Sequence, residues 1–143
     1  MRESTVKLKE ENMTLINELS VIYKNISMLV TTYLRLDNRS DTISATQHSL
    51  EDAIYTESDT FHTKYVKILN RMRVMYDDIF QYSDDCAMNP TPSTIDMDVE
   101  CYTNFSTDLT AFSDICGELS EIVGSFSNTL KTFAENRPTE EDA

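Results

Sequence analysis

A chain of 143 residues is long enough for one core but not for two independent ones. Two Gly, three Pro and no Trp leave little material for the turns of a multi-stranded sheet, so an all-α fold with few connections is predicted. The formal charge of -13 sets the average surface against nucleic-acid backbones and anionic lipid, and no apolar run is long enough to cross a bilayer.

The N-terminus opens on Arg2, Glu3, Lys7, Lys9, Glu10 and Glu11, with no apolar core of the signal-peptide kind. An intracellular site, cytoplasmic or nuclear, is expected. Cys86, Cys101 and Cys116 are odd in number and show no Cys-x-x-Cys spacing, so they are read as small apolar residues, neither a disulfide framework nor a zinc site. Asn-x-Ser/Thr sequons at Asn12, Asn25, Asn38 and Asn104 are silent without a secretory route.

From Leu8 a heptad pattern begins at once. Leu8, Asn12, Leu15, Leu19, Ile22, Ile26, Leu29, Tyr33 and Leu36 step by four and three, as one face of a helix requires. Ser4 or Thr5 is the expected cap. Met13, Ile16, Val30 and Leu34 widen the stripe, so this helix is expected to touch more than one neighbour.

Residues 37–42 are polar throughout and rich in cap and turn formers. A hairpin turn suits them. Yet Leu36, Ser40, Ile43, Gln47, Leu50 and Ile54 keep the three/four phase through the patch, as an unbroken helix would. The stripe then continues through Phe61, Tyr65, Ile68, Met72, Met75, Ile79 and Tyr82. Unbroken from Leu8 to Tyr82, the helix would be about 110 Å long and unable to fold back on itself.

Asn89, Pro90, Thr91 and Pro92 force a stop, because the residue before each proline is pushed out of the helical region. Ser93, followed by Asp96, Asp98 and Glu100, is a sound helix start. The organisation read from this is a long helix or helical hairpin over 1–86, a proline linker over 87–93, an amphipathic helix over 94–137 and an acidic tail over 138–143.

The last helix carries the most regular stripe: Tyr102, Phe105, Leu109, Phe112, Cys116, Leu119, Val123, Phe126, Leu130 and Phe133. That run is the seam of a bundle or coiled coil, built to be covered by other helices. Gly117 and Gly124, one heptad apart beside it, are expected to mark a close helix approach, since glycine is unfavourable in a helix interior.

Chemistry has little to stand on. His48 and His62 belong to no ligand pair and no Gly-rich loop exists to hold a phosphate, so no enzyme, metal or cofactor is expected. Between Arg73 and Lys131 there is no Lys or Arg, which makes that region acidic and a possible dock for a basic segment. Lys64, Lys67, Arg71 and Arg73 form the basic cluster and are expected to pair with a neighbouring helix. Thr91 before Pro92 has the form of a phosphorylation site.

The predicted fold class is all-α, with long heptad-patterned helices in a bundle or coiled coil. It has three helices, or one very long helix plus a second. If the first helix is unbroken, the last covers only about half of it, and the bare seam demands partners. The expected function is then a non-enzymatic subunit of an elongated helical complex of the cytoskeletal, kinetochore or vesicle-tethering type. Other helical proteins would be its partners, hetero-oligomer favoured over homo-oligomer. A chain folded back at 37–42 would instead be a self-contained three-helix adaptor binding a helical or basic segment.

Overall fold

The structure, a computed structural model, describes residues 3–36, 41–88 and 95–136, and the side chains of 3–36, 45–82 and 100–136. Three helices, α1 (Glu3–Leu34), α2 (Asp41–Met88) and α3 (Ile95–Asn136), pack against one another as an all-α bundle, with no strand among the described residues.

The unbroken first helix is overturned. α1 stops at Leu34, where the Arg35 and Leu36 amides donate to the Thr32 and Tyr33 carbonyls at 3.1 and 3.2 Å. Such three-residue bonds tighten a helix end and satisfy its last carbonyls. The continuous phase across 37–42 therefore belongs to two separate seams. Burying each against the other outweighs the weak propensity that would keep one helix going.

The chain divides into two compact units, each containing segments of all three helices. Unit 1 comprises 1–16 and 66–119. Here α1 and α2 are antiparallel: Thr5 and Ser4 hydroxyls donate to Asp78 Oδ2 at 2.6 and 2.9 Å, and Arg71 Nη1 lies 3.4 Å from Glu11 Oε2. Neither hydroxyl is the helix cap expected of it, because α1 already begins at Glu3, upstream of both. The core holds Leu15, Ile16, Ile68, Met72, Met75, Ile79, Ala111, Ile115 and Leu119. Three fully buried polar side chains join it, Thr5 and Asn12 from α1 and Asp108 from α3. Neither the oxygen nor the nitrogen of the Asn12 amide has a hydrogen-bond partner.

Unit 2 comprises 17–65 and 120–143. Leu19, Ile22, Ile26, Val30, Ile54, Phe61 and Phe133 fill its interior. Tyr33 is buried among them but keeps its hydroxyl satisfied, donating to Glu51 Oε1 at 3.1 Å and accepting from Gln47 Nε2 at 3.3 Å. Its ring meets Phe133 edge-on, with centroids 5.1 Å apart, which places α1 against α3 in this unit. Phe61 stacks on Phe126 at 3.8 Å and 19°, joining α2 to α3.

The glycine expectation fails. A methyl group added at Gly117 or Gly124 would meet nothing within 4 Å, so neither marks a close approach. With open space around them and no positive φ, both carry only glycine's helix penalty. Gly117→Ala and Gly124→Ala are each expected to stabilise the fold by about 0.8–1 kcal/mol, read by urea denaturation. Destabilisation by either would contradict this geometry.

α2 ends at Met88, just before the Asn89–Pro92 stretch, and α3 runs from Ile95 to Asn136. Thr91, Ser93 and the tail 138–143 lie outside the described residues, so the expected phosphorylation site and helix cap have no structural account.

Candidate interaction face

The α3 stripe does not point where its regularity suggests. In unit 1 the most buried line of α3 is Asp108, Ala111 and Ile115, one position before Leu109, Phe112 and Cys116. Tyr102 is therefore 75% exposed and Leu109 38%, while Phe105, Phe112 and Cys116 are half-buried and Leu119 is buried. In unit 2, Val123, Phe126 and Leu130 are half-buried and Phe133 is buried. The stripe is a core seam at Leu119 and Phe133, and in unit 1 mostly the edge of a surface.

What lies beside that edge was not picked out by the heptad pattern. α2 has a second run at three/four spacing, Val66, Leu69, Arg73, Tyr76 and Phe80, one position after its core line Ile68, Met72, Met75 and Ile79. Leu69, Tyr76 and Phe80 are 41%, 43% and 49% exposed. Tyr76 touches Phe80, with centroids 4.8 Å apart, and reaches across to Phe112 of α3 at 5.7 Å. The α2 run and the α3 stripe thus border the same α2–α3 side of unit 1. The overlooked signal was this second spacing, hidden because the deeper seam next to it is more apolar.

A few polar side chains also enter the largely apolar interior of unit 1. Asn12 and Asp108 are wholly buried, and Asn104, half-buried, donates to the Tyr82 hydroxyl at 3.3 Å.

The basic cluster is divided. Lys64 Nζ pairs with Glu18 at 2.9 Å in unit 2, and Arg71 pairs with Glu11 in unit 1. Pairs this exposed contribute only about 0.2–1 kcal/mol, so they act on register more than on stability. Lys67 and Arg73 are exposed. Arg73 has no ion-pair partner among the described residues and stands within the apolar run of α2. Among the described side chains of α3 in this unit, the exposed acidic residues Glu100, Asp114 and Glu118 fall by helical periodicity on the flank opposite Leu109 and Cys116.

Unit 2 has a cleft of ≈ 260 Å³ lined by Phe61, His62, Tyr65, Val123, Phe126, Ser127 and Leu130. It is almost wholly apolar, with His62 at the α2 side. His48, the other histidine, lies 3.9 Å from Glu51 at the surface. Among the described residues no three His, Cys, Asp or Glu side chains are placed to share a metal ion, and no helix is long and apolar enough to cross a membrane.

The cysteine expectation needs correction at one position. Cys101 is disulfide-bonded, whereas Cys116 is a free, half-buried thiol whose pKa is raised by desolvation. Ligand-type spacing says nothing of a bridge between positions brought close by packing, which needs only Cα atoms about 4.4–6.8 Å apart. The Cys86 side chain lies outside the described residues. Comparison with protein-family models, curated proteins and solved structures finds no match, so the chemistry of this face rests on its own residues.

Proposed function

We propose that the chain is a non-enzymatic interaction subunit, a self-folding three-helix adaptor that offers the α2–α3 side of unit 1 to another helix. One observation carries this reading. Leu69, Tyr76 and Phe80 stand at the surface on one flank of α2, where Tyr76 meets Phe112 of α3. Covering what remains exposed of such side chains, somewhat under half of each, is worth about 0.6–1.5 kcal/mol apiece. A row at three/four spacing is the footprint of a helix lying alongside.

The obligate elongated complex loses its main argument. It rested on an unbroken helix too long for the last one to cover, and α1 ends at Leu34. Partners remain other helical proteins, now docked on a finished fold.

The test is a double charge substitution on the face, Leu69→Lys with Phe80→Lys. Unfolding free energy is expected to stay within about 0.5 kcal/mol of the unsubstituted chain, as for surface changes. Helical proteins that copurify with the unsubstituted chain from its native source are expected to be lost. Recovery of the same set with both would remove the face from the account.

A further inference from the structure

The exposed run on α2 is self-complementary, and we infer that its occupant is a second copy of this chain, docked antiparallel, α2 against α2. The inference rests on the reading of this side as an association surface. It starts from Arg73, an exposed cation without an ion-pair partner among the described residues, set between Leu69 and Tyr76 in an otherwise apolar row. A charge in such a row has to be matched by whatever covers it, or it opposes docking.

The row supplies its own match. A two-fold axis between positions 74 and 75 sets Leu69 opposite Phe80 of the second copy. It also sets Arg73 opposite Tyr76 of the second copy, one position from Asp77, which is exposed. Each Arg73 guanidinium then lies over a tyrosine ring and beside a carboxylate, a cation–π contact joined to an ion pair. The two-fold repeats every contact, as an isologous interface requires. In this register Leu69 meets Phe80, and Arg73 meets Tyr76 with the Asp77 carboxylate beside it. A shift of one heptad would set Arg73 against Leu69 or Ser83 of the second copy, leaving the cation without that match. Val66 extends the apolar run at the α2 N-terminal side. A polar or charged seam position that fixes register and orientation is a known device of paired helices.

Charge exchange tests this directly. Sedimentation equilibrium is expected to show the unsubstituted chain as a dimer. Arg73→Glu, which sets two carboxylates together across the axis, is expected to weaken the dimer at least about tenfold. Asp77→Arg is expected to do the same by setting two cations together. The double substitution Arg73→Glu with Asp77→Arg is expected to restore the dimer to within about threefold, because the two-fold exchanges both partners at once. Unchanged circular dichroism in all three variants keeps folding out of the comparison. A chain that stays monomeric at about 100 µM overturns the second copy as occupant, and so does a double variant that remains dissociated. Either result leaves the association reading itself to the copurification test, where a different helical partner would be lost on Leu69→Lys with Phe80→Lys.

Discussion

Phe61→Ala is expected to lower the unfolding free energy by about 3–5 kcal/mol, the largest single loss in the molecule. Phe61 is 2% exposed and stacks on Phe126 with ring centroids 3.8 Å apart. Truncation removes a buried ring and strips Phe126, already half-buried, of its stacking partner. The neighbouring cleft of ≈ 260 Å³ acts in two directions. Its looseness lets the site relax, which lowers the loss, but the cavity left by the ring merges with it and admits water to Val123 and Leu130. The interaction between the two rings is separable by a double-mutant cycle with Phe126→Ala, with an expected coupling of about 0.5–1.5 kcal/mol. Urea denaturation followed by circular dichroism reads all three. A loss below about 1 kcal/mol for Phe61→Ala would show that this stack is not part of the core.

Asn12→Leu is expected to act in the opposite sense, stabilising unit 1 by about 1–3 kcal/mol. Asn12 is fully buried, and neither end of its amide is hydrogen-bonded. A buried unsatisfied polar group carries its whole desolvation penalty, and leucine, of the same branched shape though larger, removes that penalty while adding apolar burial. Asn12→Ala is the control: it also removes the amide but leaves a void, so its gain should be smaller or absent. The persistence of such a residue in a core line matches the use of buried asparagine to fix which helices pair and in what register. Urea midpoints for both variants check the ordering. A Leu variant less stable than the parent would mean that the amide is satisfied in solution.

The core lines of α1 and α2 were readable because each is the most apolar line on its helix. Leu15, Leu19, Ile22 and Ile26 on α1, and Phe61, Ile68, Met72, Met75 and Ile79 on α2, are all buried. The break after Leu34 was not decided, because phase continuity is satisfied by two seams as well as by one. α3 shows the deeper limit. Its most regular apolar line and its most buried line differ by one position in unit 1, where Asp108, Ala111 and Ile115 go inward and Tyr102 and Leu109 stay out. Spacing reports where apolar groups lie on a helix, but which of two adjacent lines turns inward depends on the other helices. A carboxylate at Asp108 makes the inward line look wrong until the packing is known.

The candidate face was hidden by the same effect. Val66, Leu69, Tyr76 and Phe80 run beside a stronger seam, and Arg73 interrupts them, so by spacing it groups with Lys64, Lys67 and Arg71 as a basic cluster. Packing separates these four: Lys64 and Arg71 pair with carboxylates of α1, whereas Arg73 stands among exposed apolar groups. Its role is legible only once the flank of α2 that contacts α3, marked by Tyr76 against Phe112, is known.

The three helices of this chain supply one another's core. Helicity under dilution tests it most directly. Circular dichroism from about 100 µM down to about 0.1 µM is expected to show the same high helix content throughout, since folding within one chain does not depend on concentration. Helix content that falls away on dilution would contradict the account, because the core would then be completed by other chains.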